Sequence, residues 1–98
     1  MRREYSINSI LVNDISINKV IIDDHVDKHS DHIDDHVILR IVASLNGQQF
    51  EEGAIRKNGY SYFATAIEDD GNWYKLIWLL EDNCFYIGVI TLFRDRRI

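Results

Sequence analysis

The stretch WYKLIWLLEDNCFYIGVITLFRDRR, Trp73 to Arg97, decides the fold. Two apolar runs rich in β-branched and aromatic residues, Trp73 to Leu80 and Cys84 to Phe93, flank the polar turn Glu81, Asp82, Asn83. Such a pattern predicts an antiparallel hairpin. Its runs are nearly continuous in apolar residues, as expected of strands inside a sheet that are covered for part of their length on both faces. The remaining elements must supply that cover.

Upstream, Tyr60 to Ile67 (YSYFATAI) reads as a further strand. Tyr60, Tyr62, Ala64 and Ala66 share one of its faces, and Ser61, Phe63, Thr65 and Ile67 the other. Glu68 to Asn72 (EDDGN) is the turn that leads into the hairpin, and Gln48 to Asn58 is a polar connection. From Ile33 to Leu45, apolar Ile33, Val37, Ile38, Ile41, Val42 and Leu45 recur at intervals of three and four, predicting an amphipathic helix that ends at Asn46-Gly47. Asp23 to Ser30, with aspartates in its first turn, reads as a short preceding helix. Near the N-terminus, Ile10 and Val12 face Ile15 and Ile17 across Asn13-Asp14, a pair suited to a tight hairpin turn. The Asn- and Ser-rich second face of this hairpin suits an edge exposed to water. The expectation is a single α+β domain over residues 1–98. It has an N-terminal β-hairpin and one or two helices packed on a small antiparallel sheet of three or more strands. The free edge of the first hairpin also leaves pairing with a second copy, a homodimer, as an alternative.

Composition narrows the function classes. The apolar fraction is 46 % and the net charge −5, and no apolar run nears the roughly 18 residues of a membrane span. The Met-Arg-Arg start runs into Glu4, Ser6 and Asn8 rather than an apolar signal core, so a soluble, cytoplasmic protein without membrane partners is expected. The lone cysteine, Cys84, falls in a predicted strand and reads as a small buried hydrophobe. Six aspartates against Lys28 give the segment Asp23 to His36 a charge of −5, and the rest of the chain is neutral. Overall acidity argues against nucleic-acid binding. With the acid confined to one block, however, Arg94, Arg96 and Arg97 are left to form a basic end.

Three constellations carry candidate chemistry. His25, His29, His32 and His36 recur at spacings of four, three and four among aspartates. On one unbroken helix they would share a stripe able to ligate a divalent ion. Caps at Ser30-Asp31 and Ile33-Asp34 would break that stripe, so no metal ligands are assigned, and a solvated acidic turn, a catalytic role for one or two histidines and a metal site are the competing readings. Protonating all four would move the block from −5 to about −1 between about pH 5 and 8. The second constellation is aromatic: Tyr60, Tyr62, Phe63, Trp73, Tyr74, Trp78, Phe85, Tyr86 and Phe93 all fall in the three-strand region. Core packing competes here with a face that stacks on single-stranded RNA beside the C-terminal arginines. The third is an absence: no nucleophile elbow, phosphate-cradling glycine loop, CxxC pair or HExxH is present. What remains is acid-base work without a cofactor. Cleavage of RNA by its own 2′-OH needs only a base, an acid and a cation for the phosphorane. Strand parity places Thr91 and Arg94 on opposite faces unless a bulge intervenes near Asp95.

The hairpin YKLIWLLEDNCFYIGVITLFRDRR (Tyr74 to Arg97) and the helical DKHSDHIDDHVILRIVASLNG (Asp27 to Gly47) together resemble the RelE-like and colicin-like RNase toxins of bacterial toxin-antitoxin systems. The resemblance implies a metal-independent endoribonuclease that cleaves mRNA or tRNA, needs no cofactor and is neutralised by a cognate antitoxin protein. Carried over by position, Arg94 is the phosphate-stabilising cation, Lys28 and His29 are acid-base candidates, and Tyr62 orients the substrate. His25, Thr91, Arg96 and Arg97 join them as substrate-binding candidates. The alternative is a non-catalytic protein-binding module, an inhibitor or adaptor, that uses the acidic His/Asp-rich segment and a sheet edge.

Overall fold

A computed structural model describes residues 2–24, 26, 33–51 and 56–95. Strands β1 (Arg3–Val12) and β2 (Ile15–Ile22) precede helix α1 (Asp35–Ala43). After it come β3 (Arg56–Lys57), β4 (Tyr60–Asp69), β5 (Asn72–Glu81) and β6 (Tyr86–Arg94). All six strands join one sheet in the order β1-β2-β6-β5-β4-β3. The architecture is α+β, as expected, but the sheet is larger than expected and mixed. Four of its five pairings are antiparallel, while β2 runs parallel to β6 with Lys19 to Ile22 beside Tyr86 to Val89. The first hairpin is therefore not a separate element. Of its two strands β1 alone is an edge of the sheet; β2 is internal and buries Ile17, Val20 and Ile22 completely.

Turn chemistry sets the registers. Asn13-Asp14, Asn58-Gly59 and Asp70-Gly71 each place two consecutive residues at positive φ, between 51° and 82°. That is the backbone a two-residue hairpin turn needs to match strand twist, and Asn, Asp and Gly are the residues that tolerate it. The β5–β6 turn differs: only Asn83 (φ 61°) is left-handed, and the Cys84 N–H donates to the Glu81 carbonyl. This longer turn delays β6 until Tyr86. Cys84 is consequently a half-buried turn residue rather than a strand residue, and Phe85 is 58 % exposed.

Helix α1 is shorter than its apolar periodicity. Asp34 caps it, accepting from the Val37 N–H at 3.0 Å, so Ile33 lies outside it. At the other end Leu45 and Asn46 donate three residues back, to Val42 and Ala43, and tighten the last turn before Gly47 (φ 82°). Ile38, Ile41, Val42 and Leu45 are buried against Val20, Ile22, Leu76, Trp78, Ile87, Val89 and Leu92 in the core. Trp78 is at its centre. Its ring stacks on Phe63 (centroids 4.2 Å apart), meets Phe50 edge-on at 5.3 Å, and its indole N–H donates to Thr65 Oγ1 at 3.0 Å. Two ion pairs clamp the helix at one end of the sheet. Arg3 grips Asp35 through two bonds of 2.7 and 2.9 Å, with the Tyr5 hydroxyl also donating to Asp35. Arg40 holds Asp69, with a closest approach of 2.6 Å. The expected short helix from Asp23 to Ser30 lies largely outside the described residues. At its start, the Asp23 N–H donates to the Val89 carbonyl, the Val26 N–H donates to the Asp23 carbonyl, and Val26 is buried.

Candidate nucleic-acid interface

Strand alternation sorts the side chains between a face under α1 and a face with no covering layer among the described residues. In β5, Tyr74, Leu76, Trp78 and Leu80 are buried on the helix side, while Trp73, Lys75, Ile77 and Leu79 are half-buried on the other. Cover on both faces, expected from the continuous apolar runs, is thus absent among the described residues. Registers across β4, β5 and β6 put Tyr60, Tyr62, Trp73, Tyr86 and Phe93 on this open face, and Phe63, Tyr74 and Trp78 on the other. The two faces of Tyr60 to Ile67 divide as the alternation predicts.

A bulge in β6 shapes the open face. Ile77 pairs with Thr91 and Trp78 with Val89, leaving Ile90 as the extra residue. The bulge falls before Thr91 and not near Asp95, so Thr91 and Arg94 remain on opposite faces. Tyr62 and Thr91 are on the open face. Arg94 is on the helix side opposite Tyr74. Thr91 Oγ1 and Arg94 Nε are buried with no hydrogen-bond partner among the described residues. Lys28, His29, His25, Arg96 and Arg97, together with His32, lie outside the described residues, and His36 is exposed in the first turn of α1. No cluster of three or more His, Cys, Asp or Glu able to hold a metal occurs among the described residues.

The open face holds a hollow of about 170 Å³. Ile21, Leu79, Gly88 and Ile90 form its apolar floor, Tyr60, Tyr62 and Tyr86 its aromatic walls, and Arg2 and Asp23 its polar rim. Gly88 makes the close packing there possible. A Cβ on it would meet Leu79 Cδ1 at 2.8 Å, so the leucine side chain lies across the glycine. The Tyr60 and Tyr62 rings are 6.4 Å apart and tilted by 44°. The Tyr86 hydroxyl donates to Glu81 Oε1 at 2.6 Å. Burial first, and then that carboxylate, push the Tyr86 phenol well above its ordinary value, so it stays a neutral donor. Burial and the Glu81 charge likewise raise the Cys84 thiol, which disfavours the nucleophilic thiolate.

No protein-family model matches the chain, and no curated protein and no solved structure is significantly similar to it.

No helix among the described residues is long and apolar enough to cross a membrane. Gly88 and Arg2 are absent from the candidates expected from sequence, and Tyr60 and Tyr86 enter there only as members of the aromatic constellation. Gly88 was the available signal: an isolated glycine inside an apolar strand marks a bulge or a close approach, and here it marks the close approach of Leu79, the bulge falling at Ile90. Arg2 gives no such signal, because only the β1–β2–β6 register carries the N-terminus to the rim of the hollow.

Proposed function

We propose that the open face binds single-stranded RNA and that the chain acts as a small, metal-independent endoribonuclease, the toxin of a toxin-antitoxin pair. One observation carries this reading: Tyr60, Tyr62, Trp73, Tyr86 and Phe93, from three adjacent strands, share a face that α1 does not cover. Aromatic rings on an uncovered sheet are a stacking platform for unpaired bases. Arg2, Lys19 and Lys75 stand on the same face as phosphate partners.

In the cleavage step a base removes the 2′-OH proton, the 2′-oxygen attacks the adjacent phosphorus, and the departing 5′-oxygen takes a proton from an acid. The product ends are a 2′,3′-cyclic phosphate and a 5′-hydroxyl. His29 and Lys28 are the acid-base candidates. Arg94, whose Nε has no acceptor among the described residues, is the cation candidate for the phosphorane. It stands at the C-terminal end of β6, on the helix face, so a strand bound on the open face must pass round that end of the sheet to reach it.

A second reading, protein binding by the same face, is favoured by its charge balance. Glu4, Asp23, Glu68 and Glu81 outnumber the three cations, and Ile77 and Leu79 are apolar. A cognate antitoxin or another protein partner would dock there.

The deciding experiment induces the chain in a bacterial host beside Arg94→Ala and His29→Ala, and in parallel measures binding of the purified protein to an unstructured RNA. Growth arrest with RNA fragments from the wild type alone, and RNA binding that weakens with salt, are the expected results. Harmless accumulation, intact RNA and no binding would remove the ribonuclease reading and leave the protein-binding one.

A further inference from the structure

We propose that the hollow over Gly88 is a subsite for one nucleobase turned out of an RNA strand, with Arg2 facing that nucleotide's phosphate. The inference rests on the RNA-binding reading and assigns the part of the face that fixes the strand.

Size is the first argument. Pockets for drug-sized ligands run from roughly 300 to 1,000 Å³, and this one has about 170 Å³. It is a one-ring site rather than a nucleotide cleft. Its walls are the second argument. Tyr60 and Tyr62 stand on one strand two residues apart, tilted by 44°, and so form a corner and not a flat stack. A base stacked face-on against one ring lies at 44° to the other and touches it obliquely, so both rings contribute contact. Tyr86 closes the opposite side, its hydroxyl held by Glu81. The floor of Ile21, Leu79 and Ile90 is apolar and suits a π-face. The rim supplies Arg2 for a phosphate and Asp23 as an acceptor for exocyclic amines.

Gly88 sets the depth. Any side chain there would project between Leu79 and Ile21, and the first atom of such a side chain already falls 2.8 Å from Leu79 Cδ1. Gly88→Ala therefore tips Leu79 into the space that the base would occupy. Protein partners also use one-side-chain pockets, but three tyrosines and an arginine round a floor this small favour a planar ring with an attached anion.

The test titrates uniformly 15N-labelled full-length protein with each of the four nucleoside 5′-monophosphates at millimolar concentration, following amide shifts. In parallel, fluorescence anisotropy measures the affinity of an unstructured RNA for wild type, Gly88→Ala and Tyr62→Ala, each checked for native far-UV circular dichroism. Amide shifts centred on Ile21, Tyr62, Leu79 and Gly88, and RNA affinity lowered about 5- to 150-fold in both variants, the loss of one stacked base, are expected. RNA binding by wild type that both variants retain, or monophosphate shifts elsewhere, would overturn the subsite while leaving the RNA reading standing. Absence of both RNA and monophosphate binding would overturn both. A protein partner lost on Gly88→Ala without any nucleotide shift would assign the hollow to a side chain instead.

Discussion

Replacing Trp78 by alanine tests the claim that the sheet is organised round a single indole. The side chain is fully buried, stacked on Phe63 at 4.2 Å and edge-on to Phe50 at 5.3 Å, so its removal opens a cavity walled by two rings. Aromatic-to-alanine changes in a core cost about 3–5 kcal/mol. The indole also donates to Thr65 Oγ1, a bond worth about 1 kcal/mol net, and the change leaves that hydroxyl without its donor. Since a domain of this class holds roughly 5–15 kcal/mol in total, Trp78→Ala should consume much of its stability. Each kcal/mol lowers Tm by about 4–8 °C in a domain of up to 100 residues, so a fall of at least 12 °C is expected. The assay is urea unfolding followed by far-UV circular dichroism, because the substitution removes a fluorophore. Trp78→Phe keeps one ring and should lose about 1–2 kcal/mol, for the hydrogen bond and part of the volume. A loss below about 1.5 kcal/mol for Trp78→Ala would refute the packing described here, since no half-exposed tryptophan in a loose sheet could be distinguished from it.

Further expectations concern the clamps and turns. Hydrogen bonding to Arg3, then to Tyr5, holds the Asp35 carboxyl below its ordinary value despite opposing burial. Its contribution to stability is therefore complete above the unfolded value of about 3.9 and is lost as pH falls through the lower folded value. Asp35→Asn should lower the urea midpoint at pH 7 and flatten its decline in acid; parallel pH curves for the two proteins would count against the clamp. Asp34→Ala removes the cap on Val37 and should cost about 0.5–2 kcal/mol by urea unfolding, with no change in the m-value. Gly71→Ala meets no atom within 4 Å but must adopt φ 81°, so it should cost about 1–2 kcal/mol through backbone strain alone, read as a shift in thermal midpoint.

Local signals were the legible part of this chain. Asn13-Asp14 and the Glu68–Asn72 turn announce hairpins because positive φ restricts them to a few residue types. The parity of Tyr60 to Ile67 sorts two faces correctly because a strand has only two. The helix is recognisable from Val37, Ile38, Ile41 and Val42. Its ends are less so, because Ile33 and Leu45 are apolar for tertiary reasons, packing on the core from positions outside the helix. The parallel β2–β6 pair could not be read, since nothing local to Lys19–Ile22 distinguishes a neighbour 67 positions away from an open edge. The candidate site shares that limitation. Tyr62 and Thr91 are strand residues whose face follows from counting, whereas the approach of Arg2 to Tyr86 depends on the same long-range pairing. The separation of Arg94 from Thr91 was expected from parity, and a bulge on the near side of Thr91 leaves it intact.

The parallel seam also has a kinetic consequence. On one side stands a hairpin continued by α1, and on the other a meander of three long strands; the pairs inside each half form from neighbouring residues across short turns. Joining β2 to β6 instead closes a loop of 67 residues for only four residue pairs, an entropic debt that helix burial must repay in the same step. The two halves should thus acquire hairpins early and dock late. Mutations at Val20 or Ile87, inside the seam, should slow folding less than they speed unfolding, which makes the seam the place where the native chain first comes apart.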